Sequence, residues 1–387
     1  MLYLKYKPLS FSPHCLFLPL FTMVGSTSVL KAIPQDILNR LWTAKETRVS
    51  LKHLYILGKQ VNKTRQTPSP AIKIPSEFLC SELPIRYGHM LKMLHAHPLA
   101  TTSPAMQTVA NRYVSDTQLL TRLSVPSTEM ESSQFLEVLR TLRRRQCGSL
   151  LRLRHGLLTE TQGDERAQDA VQGFLDQCNG LGVGVNLLIG EHLCLHDKGH
   201  NLVQQIDPVK VAQNAIQEAQ RYCAETHNVT APQVQLVCKY PNLSTTYVPA
   251  HLHRILFELL TNSLTATIKH QKTAPVKLTL VKGHEDVTIR LSDEGGGISA
   301  REMHSAWRYH INPHHKALLD HDQDDAQVEF DSKRGLRFAR LLARYFGGDL
   351  NLISMEGYGT DAFLALSRDD AVMENYPVSN LTETELY

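Results

Sequence analysis

From Gln35 to about His196 the apolar positions recur at helical spacing and strand-like alternation is nearly absent, which predicts a helical bundle. The expected helices are Asp36 to Val61, Leu83 to His95, Ala105 to Leu123, Gln134 to His155 and Glu165 to Leu195. Breakers such as Thr67-Pro68-Ser69-Pro70 and Val125-Pro126-Ser127 separate them. After Asp207-Pro208 the period changes. A helix from Val209 to Thr226 precedes Gln233 to Tyr240, where Val234, Leu236 and Cys238 alternate with polar residues as in a half-buried strand. Val276, Leu278 and Leu280, then Val287, Ile289 and Leu291, alternate likewise around the turn His284-Glu285-Asp286, so a hairpin is expected. A helix from Gly335 to Phe346, a Gly347-Gly348 stop, a strand near Leu350 to Ser354, the turn Gly357-Tyr358-Gly359 and a last strand to Leu366 complete the pattern. The expected class is α+β, with one sheet covered by helices on one face. The expected divisions are a leader at 1–35, a bundle at 36–200, an α/β domain at 205–370 and a tail at 371–387.

With 387 residues, 42% hydrophobic and 20% charged, the chain can bury a sizeable core, which excludes a disordered or fibrous protein. The 41 Lys+Arg and 38 Asp+Glu leave +3, too even a balance to make nucleic acid or an anionic membrane the default partner. Seven cysteines lie scattered without a Cys-x-x-Cys pair and read as reduced thiols. No apolar run reaches the roughly 18 to 20 residues of a membrane-spanning helix, so no span is expected. Before Asp36 there is no acidic residue, while Lys5, Lys7 and Lys31 and several serines are present, as in an organelle transit peptide; the missing arginines and the short apolar stretch Cys15 to Val24 leave a non-cleaved start and a secretory signal as rivals.

The segment Leu252 to Lys269 places Leu252, Ile255, Leu256, Leu259 and Leu260 on one stripe of a helix, while Glu258 and Asn262, four apart, share another face. Such a carboxylate and carboxamide can supply a proton acceptor and an oxygen ligand for Mg²⁺, although alone such a pair is usually a solvated helix face. Ser292-Asp293-Glu294-Gly295-Gly296-Gly297 ends an alternating strand with too many glycines to continue it. There an Asp can accept from an adenine amino group and glycines can wrap a base; a plain tight turn is the alternative. Gly357-x-Gly359-Thr360 opens the last strand, and Gly335-Leu336 opens the last helix, whose free N–H groups can bind phosphate.

Glu-x-x-x-Asn, Asp-x-Gly-x-Gly and Gly-x-Gly-Thr, in that order over residues 258–360, resemble the ATP site shared by gyrase, histidine kinases, MutL and mitochondrial dehydrogenase kinases. Val248-Pro249-Ala250-His251-Leu252 leading into Phe257-Glu258-Leu259-Leu260-Thr261-Asn262-Ser263-Leu264 is similar to the pyruvate and branched-chain 2-oxoacid dehydrogenase kinases. So are Glu82-Leu83-Pro84-Ile85-Arg86, Leu187-Leu188-Ile189-Gly190-Glu191-His192 and Ala343-Arg344-Tyr345-Phe346-Gly347-Gly348-Asp349-Leu350. The resemblance implies a four-helix regulatory bundle before a histidine-kinase-like ATP domain. It also implies a mitochondrial matrix location, ATP and Mg²⁺ as cofactors, a homodimer, and docking on the lipoyl domain of the complex core to phosphorylate serine on the decarboxylase subunit. Residue by residue, Glu258 matches the general base, Asn262 the metal ligand and Asp293 the adenine contact. Gly295, Gly297 and Thr360 match the base pocket, Gly335 and Leu336 the end of the phosphate-covering lid, and Arg154-His155 the bundle pair whose imidazole tunes the base.

The chain departs from that pattern in places. Asp331-Ser332-Lys333-Arg334-Gly335-Leu336-Arg337 keeps one of the three lid glycines, and Thr265 occupies a nucleotide-side position where the family has arginine. Asn312-Pro313 replaces a Ser-Thr pair, the loop after His155 lacks Pro-Thr, and the C terminus lacks Asp-Trp. Lys333 and Arg334 are expected to supply phosphate contacts in place of the lost glycines. The leading expectation is a protein serine kinase that inactivates a 2-oxoacid dehydrogenase complex, and the alternative is an ATP-binding scaffold with weak catalysis. A two-component histidine kinase is disfavoured because His155 lacks an acid-x-x-polar context, and the ATP motifs do not separate pyruvate from branched-chain substrates.

Overall fold

The computed structural model describes residues 28–64, 70–197, 201–240, 242–312 and 326–377. The leader up to residue 27, the Thr67-Pro68-Ser69 breaker, Pro313 and the chain after 377 lie outside the described residues.

The first half is helical, as its period predicts: α1 Gln35–Thr43, α2 Leu51–Thr64, α3 Pro70–Ala96, α4 Pro104–Thr121, α5 Glu129–Glu160 and α6 Glu165–Asp197. Ser103 and Thr128 cap α4 and α5 by accepting the N–H of Met106 and Glu131, and Glu131 completes a capping box. Helix α3 starts well before the predicted Leu83, although Pro75 and Pro84 lie inside it. Packing overrides them, with Leu79 and Leu83 buried in the bundle. The predicted helix Asp36 to Val61 is broken over residues 44–50, where Thr47 and Val49 turn their N–H groups to Glu82 and Glu374. Helix α6 is long and apolar enough to cross a membrane, contrary to the expectation of no such run, but 89% of its apolar window is buried inside the protein.

The second half adds β1 Gln204–Ile206, α7 Pro208–His227, β2 Val234–Cys238, β3 Thr245–Tyr247 and α8 Pro249–Lys269. After these come β4 Val276–Lys282, β5 Asp286–Asp293, α9 Ala300–Ala306, α10 Ala326–Ser332, α11 Leu336–Arg344, β6 Asp349–Met355 and β7 Gly359–Ser367. The main sheet has the order β2-β4-β5-β7-β6, with β2 and β4 parallel and the other neighbours antiparallel. The predicted hairpin is the β4–β5 pair. Short strands β1 and β3 pair separately and escape the period analysis, because three residues give no alternation to count. Along β5, Val287, Ile289 and Leu291 are buried against the helix layer, so period-two geometry puts Asp293, two residues on, on the same face.

Two predicted boundaries shift. Residues 28–32 form a 3-10 turn, and the Ala32 carbonyl accepts from Gln118 of α4 while Leu30 and Ile33 are buried, so folded structure begins inside the expected leader. The expected tail is also structural. Glu374 is 1% exposed and Tyr376 0%.

The bundle, the tail and α11 meet at Arg86. Its Nε donates to Glu82 at 2.8 Å, Nη1 and Nη2 donate to Glu374 at 3.1 and 2.5 Å, and Nη2 also reaches the Thr47 carbonyl at 3.0 Å. The Tyr345 hydroxyl donates to Glu374, and the Asn375 N–H donates to the Tyr345 carbonyl at 2.8 Å. Gly184 of α6 leaves the room: a Cβ there would lie 2.4 Å from the Tyr345 hydroxyl and 2.5 Å from Arg86 Nη1. Beside it, His89 shares a hydrogen bond with the Tyr376 hydroxyl, and burial pushes its pKa down. Removing one partner of a buried pair strands the other charge. Glu374→Ala is therefore expected to lower stability by about 3–5 kcal/mol. Breaking the half-exposed Arg290–Asp361 pair with Arg290→Ala should cost under about 1 kcal/mol. Denaturant titration of both variants checks this, and equal losses would remove the special status of the Arg86 cluster.

Candidate nucleotide site

Helix α8 presents two faces to two jobs. Its Leu252, Leu256, Leu259, Leu260, Ser263 and Thr267 are buried, and Ser263 lies opposite the end of β5. The Ser263 hydroxyl donates to Asp293 Oδ2 at 2.6 Å, while the Gly295 N–H donates to Oδ1 at 2.9 Å. Asp293, 7% exposed, is thus oriented by two donors, and the two carboxylate oxygens keep acceptor capacity for a third. Thr360 stands opposite Asp293 in the β5–β7 register, on the same face, and its hydroxyl is 2.8 Å from that of Ser354.

The glycines after Asp293 are demanded by packing. Gly297 has φ +71°, and a Cβ on it would lie 2.0 Å from the Met355 carbonyl oxygen. The β6–β7 turn is held against this loop by Gly357 N–H to the Gly296 carbonyl at 2.8 Å and Gly296 N–H to the Tyr358 carbonyl at 3.1 Å. A Cβ on Gly295 would lie 2.7 Å from that of Ala266, so Gly295 lets the loop lie on α8.

Glu258 is 4% exposed and has donors at both oxygens. Arg254, one turn earlier on α8, donates Nη2 to Oε1 at 2.5 Å, the Gly335 N–H donates to Oε2 at 3.1 Å, and Arg334 Nε stands 3.9 Å from Oε1. Gly335, at φ +106°, is the N-cap of α11, so its N–H points out of the helix start. Burial works against the charge on both arginines. Beside Glu258 the Arg334 pKa nonetheless ends above its ordinary value, while that of Arg254 ends below. Asn262, one turn beyond Glu258, is exposed and its carboxamide has no partner among the described residues. It can offer one oxygen to a hard cation, which fits a Mg²⁺ shell completed by phosphate and water.

The lid end is helical where the family pattern has a glycine loop. Residues 326–332 are the helix α10, and Asp331 and Ser332 are buried. Arg154 of α5 donates to the Asp331 carbonyl at 2.7 Å and to the Arg334 carbonyl at 3.3 Å, and Arg254 Nε donates to the Lys333 carbonyl at 3.1 Å. Two arginines from different domains therefore fix the lid backbone that glycines leave free in the expected pattern.

Among the predicted site residues the structure brings together Glu258, Arg334 and Gly335, with Leu336 next in α11, and separately Asp293, Gly295, Gly297 and Thr360. Asn262 precedes Ser263 on α8 and faces solvent between the two groups. Two residues point elsewhere. The Lys333 ammonium is 2.6 Å from Glu329, which also holds Arg143, so it serves the lid helix rather than a phosphate. The Thr265 hydroxyl lies 3.3 Å from His227 Nε2 of α7, so it joins two helices rather than facing a base. His155 is half-buried on α5 next to Arg154, and it is Arg154 that grips the lid. Arg254 lies outside the motifs, Ser263 stands in one without an assigned role, and Arg154 enters them only as the neighbour of His155. Of the three, only Arg254 carries a local signal, its spacing of four from Glu258.

A helix layer on a mixed sheet, with a strand-end Asp, a glycine loop and a helix-borne Glu above it, defines a nucleotide-binding α/β domain carried behind a helical bundle. Residues 48–227 match the family described as mitochondrial branched-chain alpha-ketoacid dehydrogenase kinase, and residues 247–370 match the histidine kinase-, DNA gyrase B- and HSP90-like ATPases. The mitochondrial [pyruvate dehydrogenase (acetyl-transferring)] kinase of Arabidopsis thaliana is 30% identical over 356 residues, 87% of this chain and 94% of that protein. Isozyme 4 of Mus musculus is 31% identical over 80% of each chain. The Schizosaccharomyces pombe kinase is 33% identical over 61% of this chain and 60% of that protein. The chain belongs to the mitochondrial pyruvate and branched-chain 2-oxoacid dehydrogenase kinase family, and its second domain is an ATPase domain of the histidine-kinase type.

Gly297→Ala forces a Cβ into the β6–β7 turn. Hydrogen exchange is expected to show lost protection at the Gly296 and Gly357 amides with the bundle amides unchanged. Protection equal to that of the parent would show that the turn yields without strain.

Proposed function

We propose that this protein is a mitochondrial matrix serine/threonine kinase that uses Mg-ATP to phosphorylate, and so inactivate, the decarboxylase subunit of a pyruvate or branched-chain 2-oxoacid dehydrogenase complex. The reading includes docking on the lipoyl domain of the complex core and a homodimeric state. The observation that carries it is the placement of a buried Glu258 carboxylate at the start of α11, in a domain that also presents Asp293 on the floor beside a glycine loop. In this scheme Asp293 reads the adenine amino group, and Gly295, Gly297 and Thr360 shape the pocket around it. Asn262 holds Mg²⁺, which when bound neutralises phosphate charge. Glu258 accepts the proton of the substrate serine as its oxygen bonds to the terminal phosphorus, the bond from phosphorus to the leaving oxygen breaks, and ADP departs.

A second reading, an ATP-binding scaffold with weak catalysis, is favoured by the donors that already engage both Glu258 oxygens, because an occupied carboxylate must give up a donor before it can accept the substrate proton. Radiolabelled ATP with purified decarboxylase subunits of both complexes, side by side, separates the two: transfer supports the kinase, and nucleotide binding without transfer to either subunit supports the scaffold. Glu258→Gln should lower transfer by about 10²–10⁴ while ADP still binds, the range for losing a general base. Turnover equal to the parent would take Glu258 out of that role. Asp293→Ala should erode the preference for ATP over GTP more than the affinity for phosphate, because a guanine edge presents a carbonyl where adenine presents an amino group. An undiminished preference would assign the base contact to another residue.

A further inference from the structure

The lid of this chain has one glycine where backbone N–H groups would need several, yet the space in front of Glu258 is rich in guanidinium. Arg154, Arg254 and Arg334 converge there around the Glu258 and Asp331 carboxylates, and Arg254 also senses Glu218. Arg154 is committed to lid carbonyls and the Asp331 side chain accepts from Gln327. Arg254 and Arg334 are the two that reach Glu258. Arg254 is held in place for this. Its Nε is fixed on the Lys333 carbonyl at 3.1 Å, its guanidinium stacks 4.5 Å from the Phe330 ring centroid and 5.7 Å from that of Phe257, and Nη1 has no partner among the described residues. Arg334 lies 5.6 Å from the centroids of both Tyr222 and Phe330. Two guanidinium groups and the Gly335 N–H at a helix start form a cradle for a compact anion, and the anion in it is the Glu258 carboxylate.

We propose that Arg254, with Arg334, is the seat for the terminal phosphate of ATP, and that Glu258 fills this seat until the phosphate displaces it. The inference rests on the kinase reading above and adds to it a binding residue, Arg254, and an order of events. A phosphate offers three oxygens to two forks where a carboxylate offers two, so arrival of the triphosphate transfers the guanidinium groups from Glu258 to the nucleotide. Glu258 then loses its strongest donors at the moment a transferable group is present. A diphosphate does not reach the seat and leaves Glu258 paired, so the site separates ATP from ADP through side chains rather than through a glycine lid.

The test is titration calorimetry of the full chain with Mg-ADP and with a non-hydrolysable Mg-ATP analogue, so that no transfer enters the readout. Arg254→Gln is expected to weaken the triphosphate by about 10- to 100-fold, the range for a charge-assisted hydrogen bond, and the diphosphate by less than about threefold. Glu258→Gln removes the competing anion and should tighten the triphosphate about tenfold with ADP unchanged, a gain that a merely structural Glu258 would not produce. The double variant should lose that gain. Should Arg254→Gln fail to fold, Arg254→Lys, which keeps charge without the fork, and the Glu258→Gln titration decide the matter. An unchanged ratio of triphosphate to diphosphate affinity in these variants, with ADP binding intact, overturns the seat alone. Absence of ADP binding in the unmutated protein would overturn the nucleotide reading and the seat with it.

Discussion

The structure turns on one buried cation. Arg86, fully buried on α3, gathers Glu82 of its own helix, Glu374 of the C-terminal segment and the carbonyl of Thr47 between α1 and α2. A buried ion cluster is a poor source of net stability, since desolvation offsets most of the attraction. Its contribution here is geometric. Five donors in a rigid fork accept one arrangement of partners, and that arrangement fixes where the chain end crosses the bundle. Tyr345, the C-cap of α11, is tied to the same Glu374, so the bundle dictates the position of the helix whose N-cap, Gly335, donates to Glu258.

From Tyr345 back to Gly335 the constraint passes along one short helix, and other contacts reinforce it from the bundle side. Arg337 forks onto Asp176 of α6 at 2.8 and 2.6 Å, and Arg154 of α5 holds the lid carbonyls. The lid is therefore a joint product of two domains. In a glycine-rich lid, backbone freedom lets a loop close on phosphate; here arginine side chains and a helical turn replace that freedom with fixed donors. The consequence is a site whose conformation depends on the bundle, a physical route by which events on the bundle can reach Glu258.

Much of the fold is legible in the chain itself. The 3.6 and 2.0 periods locate most helices and strands, because an element that buries one face must repeat that face in its sequence. Period-two counting from Val287 to Asp293 places the carboxylate on the helix-facing side from spacing alone. Errors fall where burial competes with local rules: the early start of α3 through Pro75, the break at 44–50 made by carboxylates elsewhere in the chain, and strands too short to alternate.

Short-range pattern is enough for the α+β class and the order of the nucleotide motifs, because each of these depends on neighbours a few positions away. The partners of Glu258 and the fate of Lys333 and Thr265 belong to the tertiary structure instead. Lys333 could face phosphate by sequence, but Glu329 one turn away in α10 is nearer and takes its charge. Arg86 and Glu374 lie 288 residues apart, and no local pattern marks either as the other's partner. Local chemistry is written in short spacings, whereas pairing across a core is set by which side chains arrive together when water is excluded, a choice the whole fold makes at once.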